Sequence, residues 1–178
     1  MEYHPNPNFQ NFIFSLFEKC ELSDSYVKLF STPECMKEYA KCFTHESYNK
    51  KNNYEYYEIL GDATSNKIAV TYYHKRFNYI FEQPGEGNMG PVAIMARLKQ
   101  MGVSKRVYSK YAKSLGFYDF ILCKDEPPKF SKEANATALL EDTFEAFIGC
   151  LECIVDKHVP YGGYGICYIF MKKLMDNE

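Results

Sequence analysis

The sequence predicts an all-α protein of one domain. Three observations carry this: apolar residues recur at three- and four-residue spacing in nearly every apolar segment, cap and stop residues bound those segments, and no internal repeat, low-complexity tract or linker divides the chain. At 178 residues with 46% hydrophobic content, the chain is long enough to bury a real core. The domain is read as residues 1–178, with its motif-bearing core at about 40–156.

Composition removes several function classes. The formal net charge is −2, so no whole-protein field draws in a polyanion; this argues against a simple basic RNA-coating protein, and nucleic-acid contacts must rest on local clusters. The start, MEYHPNPNF, lacks a basic segment followed by an apolar run, and nowhere do eighteen apolar residues occur in succession. Neither a secretory signal nor a membrane span is expected. Seven scattered cysteines read as free buried thiols, placing the protein inside the cell in a reducing compartment, cytoplasm or nucleus. The aromatics are 16 Tyr and 14 Phe with no Trp, and tyrosine suits helix interfaces where one end stays wet.

In chain order, residues 9–20 place Phe9, Phe12, Ile13, Leu16 and Phe17 on one helical face behind Asn8 as cap. SYVKLFS makes a short helix. TPECMKEYAKCF opens with Thr32 as cap, Pro33 at the first helical position and Glu34 in the first turn. A polar loop, FTHESYNKKNN, leads into a helix from Tyr54 to about Phe77 that is apolar around most of its circumference, which predicts a central helix packed on several sides. His74, Lys75 and Arg76 stand at its C-terminal end, where cations are favoured.

NYIFEQPGEGNMGP is a loop, and PVAIMARLKQMG and VSKRVYSKYAKSLG are two amphipathic helices, the second capped by Ser104 and both closed by glycine. They carry Arg97, Lys99, Lys105, Arg106, Lys110 and Lys113, which read first as a solvated face and second as a phosphate track. Residues 119–133 make a surface excursion, Asn135 to Asp156 a long apolar helix, and YGGYGICYIFMKKLM a glycine-rich turn and a last helix.

Two of these helices carry acids where acids are costly. NYEYYEILGDA holds Glu55, Glu58 and Asp62 three and four residues apart, on one helical face. EDTFEAFIG holds Asp142 and Glu145 three apart, with Gly149 on nearly the same face. Unpaired buried carboxylates cost several kcal/mol or take up protons, whereas a cation between them reverses the cost. Gly61, a helix-interior glycine costing roughly 1 kcal/mol against alanine, implies close helix packing, and Ala63, Ala146 and Gly149 would permit the two acidic faces to approach. Four converging oxygen donors suit Mg2+ or Mn2+ and not zinc. Two such ions roughly 4 Å apart support in-line phosphodiester hydrolysis.

With both stretches in view, the chain resembles the catalytic domain of ribonuclease III, which cuts double-stranded RNA. THESY at 44–48 is similar to the family's threonine-histidine-x-serine-tyrosine passage, NYEYYEILGDA to the signature NERLEFLGDA, and EDTFEAFIG to ADxxEAxIG; EGNM at 86–89 is a weaker fourth match. The resemblance implies a homodimeric, Mg2+-dependent endonuclease, with Mn2+ able to substitute, in which Glu58, Asp62, Asp142 and Glu145 are the metal ligands and catalytic residues. Each subunit would cut one strand and leave short 3′ overhangs. Glu55 would serve substrate or partner contacts, and Glu86 would lie near the dimer interface.

Tyr56 and Tyr57 replace the signature's arginine and leucine, and Ile59 replaces a phenylalanine that plugs into the partner subunit, so dimer packing is altered in detail. No double-stranded-RNA-binding domain follows, so the chain reads as a minimal form or a piece of a longer protein. The rival reading is a catalytically inactive relative, a dimerisation or RNA-sequestering module; such proteins lose ligands, and here all four positions are filled. Cys150 and Cys153, His45 and His74 read as core thiols, a hydrogen-bonded structural residue and a capping charge.

Overall fold

The computed structural model describes residues 3–79, 90–124 and 133–177, with the backbone alone at 133–135. Glu86 and the proline pair Pro127 and Pro128 lie outside the described residues. The described chain is helical without a strand: α1 (Phe9–Lys19), α2 (Asp24–Phe30), α3 (Pro33–Cys42), α4 (Glu55–Arg76), α5 (Pro91–Gly102), α6 (Lys105–Ser114), a 3-10 turn (Phe117–Phe120), α7 (Glu133–His158) and α8 (Gly163–Met175). An isolated parallel bridge ties Thr44 to Leu122.

The caps explain several boundaries. Thr32 accepts a hydrogen bond from the Cys35 N–H at 3.3 Å, with Pro33 at the first helical position of α3. Gly116, at φ +79°, ends α6 in the left-handed conformation that only glycine adopts without strain. Asn8 and Ser104 occupy cap positions but make no capping side-chain bond; the Asn8 N–H is instead held by the Asn6 side chain at 3.0 Å.

Helices α4 and α7 make the most extensive contact in the molecule, and α3, α6 and α8 also pack on α7. Burial on α4 is confined to one face, Tyr57, Gly61, Thr64, Ser65, Ile68, Ala69 and Tyr72. Helix α4 packs against α3, α5, α7 and α8, as expected of a central helix, but its expected inward face is corrected here: Ile59 is 71% exposed and Tyr56 67%. The expected face was drawn too wide because Ile59, Ala63 and Val70 are apolar without being inward.

Aromatic rings fill the core. Phe12 stacks on Phe120 at 4.1 Å and meets Phe43 edge-on at 5.3 Å, while Phe147 reaches Phe170 at 5.5 Å. All seven cysteines are free thiols. No described helix is long and apolar enough to cross a membrane.

Candidate active site

The approach of α4 to α7 is set by two glycines. A Cβ added at Gly61 would land on the backbone carbonyl oxygen of Glu145, and one added at Gly149 would lie 2.7 Å from the Gly61 nitrogen and closer still to the Tyr57 carbonyl oxygen. Any side chain at either position would force the helices apart. Ala146 is buried beside this crossing, whereas Ala63 is exposed and plays no part in it.

The crossing fixes where the acids go. Glu58 and Asp62 stand one turn apart on α4, half-buried and exposed respectively; on α7, Asp142 is half-buried and Glu145 only 8% exposed. Burial, then the charges of Asp62, Glu141, Glu58 and Asp142, push the Glu145 carboxyl up to about 8. Burial, then Asp142, Glu55 and Glu141, push Glu58 up to about 7 against the opposing Lys105. Asp142 is also raised, chiefly by burial, with Lys105 opposing. Charge thus acts across the crossing: Glu145 senses Asp62 and Glu58, and Glu58 senses Asp142 and Glu141. Among the described residues, no three His, Cys, Asp or Glu side chains are gathered tightly enough to form a ready coordination shell; repulsion between like charges favours splayed rotamers.

Neighbouring side chains hold the acids in place. The Tyr54 hydroxyl donates to Asp142 Oδ2 at 3.4 Å, a long bond, and the Asn66 amide donates to Asp62 Oδ1 at 2.6 Å. His45 is tied to Ser47, its Nδ1 lying 2.8 Å from the Ser47 Oγ and accepting from the Ser47 N–H at 3.1 Å. Glu55 is exposed in the first turn of α4 and adds to the field on Glu58.

Three participants were not anticipated. Lys105 and Glu141 form an ion pair at 2.6 Å at the edge of the acidic set, and Lys105 senses Asp142 and Glu145 as well. A lysine in the first turn of a helix opposes the helix dipole, and that misplacement was the available signal. Tyr108, fully buried, turns its hydroxyl into the field of Glu145 and Asp62. No sequence pattern marks it.

The family model described as "Ribonuclease III domain" matches residues 55–153, more than half of the chain. The chain belongs to the ribonuclease III family. It is 36% identical over 138 residues to a "Putative ribonuclease 3" of Invertebrate iridescent virus 6, an alignment covering 78% of this chain and 44% of that protein. A second "Putative ribonuclease 3", from Frog virus 3, is 37% identical over 139 residues, covering 77% and 35%. The chain therefore spans less than half the length of these relatives. In structure it is similar to the ribonuclease III nuclease domain of Campylobacter jejuni, with a TM-score of 0.62 at 23% identity over 90% of this chain and 96% of that one; at that identity the likeness is one of fold.

Proposed function

We propose that this ribonuclease III family chain is an endoribonuclease that hydrolyses phosphodiester bonds of double-stranded RNA, works as a homodimer, and forms one catalytic domain across residues 1–178. The observation that carries the reading is the set of mutually repelling carboxylates at the α4–α7 crossing, of which Glu145 is buried, Glu58 and Asp142 half-buried and Asp62 exposed. Such a set is destabilising, Lys105 opposes only part of the repulsion, and a divalent cation would supply the missing counter-charge.

The donor chemistry fits Mg2+, with Mn2+ as substitute. Glu58, Asp62, Asp142 and Glu145 offer only carboxylate oxygens, which hard cations prefer. Bound there, such ions would polarise a phosphoryl oxygen and lower the pKa of a water molecule. The chain's own groups prepare the site. Tyr54 and Asn66 restrict the Asp142 and Asp62 carboxylates, while Lys105 neutralises Glu141 and tempers the field at Glu58 and Asp142.

The homodimer is supported by the exposed apolar stripe on α4 and α5, where Tyr56 is 67%, Ile59 71% and Val92 82% exposed, and by the solved Campylobacter jejuni domain, described as having a region involved in dimer formation. Glu55 and Glu86 remain proposed contacts to substrate or partner. The test is to incubate the chain with a long RNA duplex, with and without Mg2+, and size the products. Short duplexes appearing only with Mg2+ are expected; a chain that binds the duplex and leaves it intact would be the sequestering module instead.

A further inference from the structure

Beside the acidic centre, α6 and α7 enclose a hollow of about 560 Å3 whose rim is basic. Arg106, Lys110 and Lys113 line it from α6, together with Ser109, Thr137 and Tyr118, and no carboxylate is among its described lining residues. We propose that this hollow is a subsite for backbone phosphates of the RNA duplex, holding the strand next to the acidic centre; the proposal rests on the nuclease reading above.

An ordinary solvated helix face explains isolated lysines, and Lys113 in the last turn of α6 is favoured there by the helix dipole. It does not explain the arrangement. Arg106 stands in the first turn, where a cation is disfavoured, and Arg106, Lys110 and Lys113 recur at four and three residues, a spacing at which like charges repel by a few tenths of a kcal/mol per pair. These costs fall around a concavity, which focuses positive potential on a chain whose formal net charge is −2.

Position favours a polymer over a single anion. From Arg106 to Lys113 the cations extend about 10 Å along the helix, longer than one phosphate requires. The row also runs into the acidic centre: Arg106 follows Lys105, and Leu140 of the hollow precedes Glu141 and Asp142. A strand held by its phosphates along the hollow is delivered to the carboxylates one turn further along α7.

The test is the double variant Arg106→Gln with Lys113→Gln, both exposed positions; Lys110 is left alone because it makes further contacts within the chain. The control is Lys19→Gln with Lys28→Gln, which changes net charge equally on exposed positions of α1 and α2. Binding to a duplex RNA is measured by fluorescence anisotropy in Ca2+ between about 50 and about 200 mM salt, with inorganic phosphate titrated as competitor, and cleavage is measured in Mg2+.

In the double variant the slope of log affinity against log salt should fall by roughly 2. KM should rise about tenfold or more, kcat at saturating duplex should stay unchanged, and inorganic phosphate should compete only weakly. The proposal is overturned if the double variant binds like the wild type or like the control, if the loss appears in kcat alone, or if the wild type does not bind duplex at all. Wild type that binds steeply with salt but never cleaves would sink the nuclease reading and leave the subsite standing. Wild type that cleaves, beside a double variant that matches it, would do the reverse.

Discussion

The Glu145 carboxyl starts from an ordinary value of 4.5 and is pushed up to about 8 in the folded chain by burial and by four neighbouring carboxylates. A raised acid binds its proton more tightly in the folded state, so this group's contribution is fully present below about pH 4.5 and is lost as pH rises through about 8. Metal-free protein should therefore lose thermal stability between pH 5 and pH 8, and Glu145→Gln, which cannot ionise, should melt higher than wild type at pH 8 and close to it at pH 5. Melting curves in EDTA at both pH values decide this; an equal difference at the two would show that the carboxyl is not the source.

The same variant should keep the fold and lose at least about a hundredfold in duplex cleavage, and Mg2+ should raise the melting temperature of wild type more than that of the variant. Cleavage at near wild-type rate would remove Glu145 from the proposed site. Of these residues, the acids and glycines were legible because i, i+3 and i, i+4 spacing is a local property of a helix. Glu141, Lys105 and Tyr108 were not, since their roles arise only when α6 is laid against α7.

Helices were legible where caps and apolar spacing agreed, as in α3, whose Thr32 and Pro33 both mark its start. The inward face of α4 was less so. Its composition is apolar nearly all round, and which apolar residues turn inward depends on where Gly61 lets α7 approach. That crossing gives the clearest prediction at this scale. Gly61→Ala gains roughly 1 kcal/mol of helix propensity, yet its Cβ would land on the Glu145 carbonyl oxygen, backbone that cannot give way. A net loss of at least about 2 kcal/mol is expected in urea unfolding. Gly165→Ala is the contrast: this glycine lies inside α8 with nothing within 4 Å of the added Cβ, so it should stabilise by about 0.5 to 1 kcal/mol. If the two variants shifted the midpoint alike, close packing would not be what holds α4 to α7.

At the scale of the whole molecule, the exposed apolar stripe is the feature a lone domain explains least. Tyr56 and Ile59 stand out from α4, and Val70 joins Val92, Met95 and Ala96 of α5 around a hollow of about 470 Å3. Single surface hydrophobics need no explanation, but several exposed on neighbouring helices make a surface suited to a partner, and the partner proposed for it is a second copy of the chain. Ile59→Asp places a charge in that patch. It costs the free monomer little, because the position is 71% exposed, but in a closed interface the carboxylate would be buried unpaired at several kcal/mol. Dimer dissociation should therefore rise by about a hundredfold or more, read by sedimentation velocity, with helix content by circular dichroism unchanged. Tyr161→Asp, at a position 94% exposed in the turn before α8, should leave the dimer intact. An Ile59→Asp variant that dimerises like wild type would remove this stripe from the interface, and a wild-type chain that sediments as a monomer at tens of micromolar would leave the acidic centre to act from a single copy.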